Sequence, residues 1–257
     1  MIRAVAFDLW ETLITDTPEL SRAQERLRLT RMEATLTARG HGALADRIEH
    51  AYRALWRRCH DLYWSADRDV PCRTQIEHFL HELELDPQSF GEDVLAELEH
   101  AYAYAALEVP PALVDGAADV LRELKARGLG VGLISNTGRT PGYALRGILE
   151  ALDLAPHIDV MVFSNEHGHC KPQPSIFEEL RSGLGVAYEE MVFIGDNPYA
   201  DVHGAQRTGM QAILFEPPVR GTAVAPPVEH GLEIVPHAVV SSLRELPEII
   251  GAMNDER

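Results

Sequence analysis

After Pro110-Pro111 the chain alternates between short apolar runs and amphipathic stretches of helical period. Strands separated by helices pair in parallel through right-handed crossovers, and few folds satisfy that pattern. A helix over Gly116 to Arg127, with Val120, Leu121 and Leu124 on one face, stops at Gly128 and gives way to a strand from Leu129 to Ile134. A helix over roughly Pro141 to Leu152 leads to the strand Val160 to Phe163. Pro174 to Leu180 reads as a helix start with proline in its first turn. Met191 to Ile194 is the next strand, followed by a helix to Thr208-Gly209 and the strand Gln211 to Phe215. An earlier apolar run, Ile2 to Phe7, reads as a buried strand of the same kind.

Between that first strand and the rest lies a long block of helical period. Leu44, Ile48, Ala51, Tyr52, Leu55, Cys59 and Leu62 recur at three- and four-residue spacing, as do Ile76, Phe79, Leu80 and Leu83, then Val94, Leu95, Leu98, Tyr102 and Ala105. Breakers at Gly40, Pro71, Pro87 and Pro110-Pro111 divide the block into about four helices. The expected organisation is a core formed by residues 1–16 and 112–257 and a separate helical domain, residues 17–111, with the active cleft between them. From Glu216 the chain is rich in proline, valine and glycine until Ser241, where a short helix is expected; the pattern assigns this segment no role.

Charge narrows the function classes. Lys and Arg number 23 against 40 Asp and Glu, a formal charge of −17, which disfavours nucleic acid or an anionic membrane as partner. Apolar runs fall well short of the roughly 20 residues of a membrane span, and the N-terminus lacks the build of a signal peptide, so a cytoplasmic protein is expected. Cys59, Cys72 and Cys170 are odd in number and lack a CxxC pair, which points to reduced thiols.

Four strands end in polar residues, and a parallel sheet gathers those ends on one edge. They are Asp8; Ser135-Asn136-Thr137; Ser164-Asn165-Glu166 with Lys171 soon after; and Asp196-Asn197 with Asp201. Each alone is compatible with capping or turn chemistry. Together they offer a nucleophile in Asp8, anion-holding groups in Ser135 and Lys171, and two carboxylates, Asp8 and Asp196, for a hard divalent cation. Weaker signals have plainer readings. His167-Gly168-His169-Cys170 is expected to be a loop without a metal of its own, and Arg47, Arg53, Arg57 and Arg58 with Tyr63 and Trp64 a solvated helix face. Ser135 lacks the flanking glycines of a serine-hydrolase elbow, and Gly128-Leu129-Gly130-Val131-Gly132 precedes a strand where a dinucleotide loop must follow one.

Phe7-Asp8-Leu9-Trp10-Glu11-Thr12-Leu13, Ile134-Ser135-Asn136, Lys171-Pro172-Gln173-Pro174 and Ile194-Gly195-Asp196-Asn197-Pro198-Tyr199-Ala200-Asp201 resemble, in order, the four motifs of the haloacid dehalogenase-like hydrolases. The resemblance covers about residues 1 to 215 and implies an α/β fold: a Rossmann-like parallel sheet core with an inserted all-helical cap domain. It implies that Asp8 is the nucleophile of a phosphatase acting on a small phosphorylated metabolite. It further implies that Ser135 and Asn136 bind the phosphoryl group and that Lys171 pairs with both nucleophile and phosphate. Asp8, Asp196 and the Trp10 carbonyl would hold magnesium, with Asp201 in support. One departure bears on activity. The family's phosphatases place an acid-base aspartate where this chain has Trp10, and Glu11 is one residue out of place to substitute. An aromatic residue there is similar to the family's 2-haloacid dehalogenases, which lack the Gly-Asp pair retained here as Gly195-Asp196. Two alternatives stay open: a dehalogenase-type hydrolase using Asp8, and an impaired member that binds a ligand or partner. Substrate identity and oligomeric state are not legible.

Overall fold

A computed structural model describes residues 1–221 and 231–255. Strand β1 (Ala4–Phe7) is followed by a turn and the two-residue β2 (Ile14–Thr15). The helical block is α1 (Pro18–Ala38), α2 (Ala45–Leu62), α3 (Cys72–Glu82), α4 (Glu92–Ala103) and the single turn α5 (Ala105–Glu108). β3 (Ala112–Leu113) returns antiparallel to β2, so the chain enters and leaves the block side by side. The alternating part comprises α6 (Ala117–Ala126), β4 (Gly130–Ser135), α7 (Gly142–Ala151), β5 (Val160–Phe163), the one-turn α8 (Ser164–His167) and α9 (Pro174–Leu184). Then come β6 (Met191–Gly195), a π-helical turn over Pro198–His203 that runs into α10 (Gly204–Gln206), β7 (Gln211–Phe215), β8 (Ala238–Val240) and α11 (Leu246–Asp255).

The strands order as β5-β4-β1-β6-β7-β8, each pair parallel. Both faces are covered, which is why the strands read as unbroken apolar runs. Val5, Phe7, Val131, Leu133, Val192 and Ile194 face α6, α7 and α11 through Val120, Leu121, Leu145, Ile148, Leu246 and Ile250. Ala4, Ala6, Ile134, Met191 and Phe193 face α9 and the helical turn after β6 through Ile176, Phe177, Leu180 and Val202. Each fully buried Val, Leu, Ile, Phe or Met side chain among these contributes roughly 1.5–3 kcal/mol. α9 lies so close that a Cβ on Gly132 would come 2.7 Å from Leu180 Cδ1, which accounts for a glycine inside β4.

β1 is the switch point of this order: β4 and β5 lie on one side and β6, β7 and β8 on the other. Phe7 is in register with Leu133 and Ile194, so the next residue, Asp8, leaves the C-terminal edge of the sheet between β4 and β6. Ligands of open α/β sheets bind at that place.

One feature departs from the sequence reading: Ala238–Val240 adds a sixth strand to the sheet beside β7, while Ser164-Asn165-Glu166 directly follows β5 as expected and opens α8. The short run of β8, flanked by irregular chain, carried too little periodic signal to be read. The C-terminal helix expected after Ser241 is present as α11. Among the described residues no helix is long and apolar enough to cross a membrane.

The helical block has its own core, built on Met32, Leu36, Ile48, Tyr52, Leu55, Phe79, Leu80, Leu98 and Tyr102. α1 begins where Thr17 accepts a hydrogen bond from the Leu20 N–H at 3.3 Å, with Pro18 in the first turn. The block is stitched to the sheet edge by backbone and side chains. Asp69 N donates to Gly168 O at 3.0 Å and Cys170 N to Asp67 O at 2.9 Å. Gln75 Nε2 donates to Gly138 O at 2.9 Å, and the Arg139 guanidinium stacks 4.3 Å from the Trp56 ring and 4.8 Å from that of Tyr52. Of the basic residues on α2, Arg47, Arg53 and Arg58 pair with Glu84, Glu49 and Glu82.

Candidate active site

Asp8 N donates to Ile194 O at 2.8 Å, which ties the residue after β1 into the sheet and fixes the direction of its side chain. The carboxylate is engaged on both oxygens. Lys171 Nζ lies 2.5 Å from Oδ1, and Thr12 Oγ1 donates to Oδ2 at 3.2 Å. Lys171 Nζ also lies 2.7 Å from Asp201 Oδ1, donates to Ile134 O at 3.0 Å and sits over the Phe193 ring, 5.1 Å from its centroid. One buried ammonium thus bridges two buried carboxylates and the end of β4.

The backbone of Lys171 is held by the amide of Asn136. Asn136 Oδ1 accepts from Lys171 N at 2.8 Å, and Nδ2 donates to Lys171 O at 3.1 Å. The Ser135 hydroxyl is fully buried and has no hydrogen-bond partner. Asp201 is oriented by Asn197, whose N–H donates to Oδ2 at 2.9 Å. Asn197 in turn caps the helical turn after β6 by accepting from Tyr199 N and Ala200 N, each at 3.0 Å.

Asp8, Asp196 and Asp201 each present an oxygen within 4.8 Å of the others, and all three residues are buried. No other such group of His, Cys, Asp or Glu occurs among the described residues. Burial is the strongest influence on Asp8 and lifts its carboxyl to about 6, with Lys171 opposing and Asp201 adding to the rise. Burial also leads at Asp196, where the neighbouring charges of Asp8 and Asp201 add to it and push the carboxyl to about 8. For Lys171 burial acts against the charge, but Asp201 and Asp8 outweigh it and hold the ammonium above its ordinary value. The cluster carries three potential negative charges against Lys171 and one arginine, so a further cation is electrostatically favoured there. An all-oxygen donor set suits a hard ion such as magnesium.

The structure brings together Asp8, Lys171, Ser135, Asn136, Asp196 and Asp201, all named from the sequence. Trp10 follows on the turn beyond Asp8, partly buried against the core below. Glu11 does not enter the cluster. Its backbone is left-handed, with φ of 61°, and its buried carboxylate accepts from Thr15 Oγ1 at 3.1 Å and Gly221 N at 2.5 Å. His167, expected in a loop, is the last residue of α8 and is taken up by Glu179 and Ser175, while Cys170 Sγ donates to the Arg68 carbonyl. Burial pushes the thiols of Cys59 and Cys72 up to about 12 and that of Cys170 higher still, so none is a nucleophile at neutral pH.

Two participants escaped the sequence reading. Arg220 reaches the cluster from the C-terminal segment: Nη1 lies 2.6 Å from Asp196 Oδ2, and Nη2 donates to the Asp196 carbonyl at 3.2 Å. Asp69, on the loop between α2 and α3, is buried at the seam with the sheet. It accepts from Ser164 Oγ at 2.5 Å, Thr137 Oγ1 at 3.0 Å, Trp64 Nε1 at 2.9 Å and Val70 N at 2.8 Å. No periodicity or spacing marks either residue, because both act through loop contacts distant in sequence.

Comparison with known proteins agrees with the fold. A family model described as haloacid dehalogenase-like hydrolase matches residues 2–209. Haloacid dehalogenase-like hydrolase domain-containing protein 3 of Homo sapiens is 37% identical over 134 residues, 49% of this chain and 49% of its own length. The chain thus aligns with only about half of that relative. Glyceraldehyde 3-phosphate phosphatase of Pyrococcus abyssi is 29% identical over 218 residues, covering 84% of this chain and 82% of its own. A 2-haloacid dehalogenase of Pseudomonas syringae has the same fold, with a TM-score of 0.68 at 22% identity over 98% of this chain and 100% of its own. With the family model matched over most of its length, the chain belongs to the haloacid dehalogenase-like hydrolases.

Proposed function

We propose that the protein is a magnesium-dependent phosphatase that acts on a small phosphorylated metabolite through an aspartyl-phosphate on Asp8. The observation that carries this reading is the convergence of Asp8, Asp196 and Asp201, two of them paired with Lys171, with a buried Ser135 hydroxyl lacking a partner at the end of the neighbouring strand β4. A nucleophilic carboxylate and a phosphate dianion repel each other, so their approach requires concentrated positive charge. Lys171 supplies part of it. Asp8, Asp196 and the Trp10 carbonyl would hold magnesium, with Asp201 supporting through its contact with Lys171; bound there, the ion neutralises charge on the phosphoryl oxygens.

An Asp8 oxygen forms the new bond to phosphorus as the bond to the leaving oxygen breaks. Lys171 stays paired to Asp8 and neutralises phosphoryl charge, while Ser135 donates its free hydroxyl to a phosphoryl oxygen and Asn136 holds Lys171 in place. Water then cleaves the aspartyl-phosphate, releasing phosphate and restoring the carboxylate. Trp10 has no group to protonate the leaving oxygen or activate that water. Substrates with good leaving groups are therefore favoured, and breakdown of the intermediate is slow relative to its formation.

A dehalogenase reading uses the same Asp8 but gives the extra carboxylates no task, and their charge would repel a 2-haloacid. The phosphatase named among the relatives, aligned over more than four-fifths of both chains, also favours phosphate chemistry. The test is an assay in two arms. Phosphate release from p-nitrophenyl phosphate that needs Mg2+ supports the proposal. Halide release from 2-chloropropionate in chelator, with no phosphate release in Mg2+, overturns it.

A further inference from the structure

The guanidinium of Arg220 is bound where a cation belongs. It makes a two-pronged contact with Asp196, one nitrogen on the side-chain Oδ2 and the other on the main-chain carbonyl. Asp196 is nearly inaccessible to solvent, whereas the Arg220 side chain keeps 42% of its exposure. The charge is therefore brought to the cluster from outside and is not part of its buried wall. Lys171 is engaged by Asp8 and Asp201, which leaves Arg220 as the cation paired with Asp196 among the described residues.

The neighbouring residue is anchored independently. Gly221 N donates to Glu11 Oε2, and a Cβ at this position would come 2.5 Å from Glu11 Oε1 and would also overlap Thr15 Oγ1 and the Asp16 carbonyl. Glycine is therefore required for the chain to pass so near. Glu11 is held in turn by Thr15. The segment thus has two attachments of different kinds: a main-chain tether at Gly221 that does not involve the carboxylate cluster, and a side-chain ion pair at Arg220 that does.

We infer that Arg220 is an internal counter-cation of the carboxylate cluster that competes with the divalent ion for Asp196 and so sets the metal affinity of the site. A bound ion and the guanidinium cannot share Oδ2 without bringing two positive charges into contact. When the ion binds, Arg220 is displaced while Gly221 stays tethered, so the freed guanidinium remains at the mouth of the site. The inference rests on the reading of Asp8, Asp196 and Asp201 as a metal site.

The experiment is a Mn2+ titration followed by electron paramagnetic resonance on the wild-type protein and the variants Arg220→Ala and Arg220→Lys. Competition predicts that Arg220→Ala binds Mn2+ about fivefold or more tightly than wild type, the scale of a partly buried charged hydrogen bond. Arg220→Lys, which keeps the charge but loses the planar fork, falls between them. On the wild-type protein, phenylglyoxal labelling of Arg220, read by peptide mass spectrometry against exposed Arg207, should rise several-fold when Mn2+ replaces chelator. Equal Mn2+ affinity in all three proteins, or weaker binding in Arg220→Ala, overturns the inference while leaving the metal site intact. Labelling indifferent to Mn2+ overturns the displacement. Absence of Mn2+ binding in wild type and variants alike overturns both the inference and the metal site.

Discussion

Asp69 and Asp196 are both buried carboxylates whose pKa burial raises, yet their surroundings differ in kind. Asp69 at the seam is surrounded by four donors, and its hydrogen bonds to Ser164, Trp64, Val70 and Thr137 all favour the charged form. Asp196 at the sheet edge faces two like charges, Asp8 and Asp201, and leans on one arginine from outside. A buried polar group with its hydrogen bonds complete serves the fold, because any change leaves donors unpaired. A buried carboxylate left among others is held in readiness for a cation or a proton. The comparison separates a clamp that holds the helical block in place from a cluster proposed to do chemistry; the strand end marks Asp196 in the sequence, whereas Asp69 passes there as a polar loop residue.

The largest effect is expected at the cluster. Asp8→Asn keeps the shape of the side chain and removes the proposed nucleophile, so Mg2+-dependent phosphate release should fall by roughly 10³-fold or more with little change in thermal unfolding. Retention of most of the activity would break the distinction. At the seam the pattern should reverse. Asp69→Ala leaves the Ser164, Thr137 and Trp64 donors without an acceptor, and urea denaturation should show a loss of about 2–4 kcal/mol.

A third test uses pH. Asp8 and Asp196 have folded-state values of about 6 and about 8, above their unfolded value of 3.8, so the folded protein binds more protons than the unfolded chain between these limits. Their contribution to metal-free stability is therefore full below the unfolded value and is lost as pH rises through about 6 and then about 8. Denaturation in chelator should show stability declining across this window, with a smaller decline in Asp196→Asn. Saturating Mg2+ should oppose the decline, since metal binding requires the deprotonated carboxylates. A metal-free protein that gains stability over the same window would contradict the account of the cluster.

The smallest effect is expected at Glu11. Its carboxylate serves Thr15 and the Gly221 tether, so Glu11→Gln should change phosphate release by less than about threefold. A loss of ~10²–10⁴-fold would make Glu11 the missing acid-base group after all.

Much of this architecture was legible in the sequence because it follows from periodicity. Val160 to Phe163 and Gln211 to Phe215 were read to the residue, since a strand covered on both faces is a continuous apolar run bounded by breakers. Asp8, Ser135, Lys171 and Asp196 were legible because a parallel sheet delivers its strand ends to one edge. Arg220 and Asp69 were not. Arg220 lies in a segment without period, and its partner is 24 residues away in the chain. Asp69 binds Ser164 across 95 residues. Such contacts depend on where loops return after folding, and residue type alone does not encode that. Glu11 was read from the sequence as one residue out of place to replace the missing acid, and a left-handed backbone turns its carboxylate toward the C-terminal segment.

The central claim is that Asp8 takes up the phosphoryl group. Because Trp10 supplies no base to activate water, the intermediate should accumulate during single turnover of p-nitrophenyl phosphate with Mg2+, and acid quenching preserves it for peptide mass spectrometry. The account predicts phosphate on the peptide carrying Asp8, and none in Asp8→Asn. Phosphate released while that peptide stays unmodified at every quench time would contradict it.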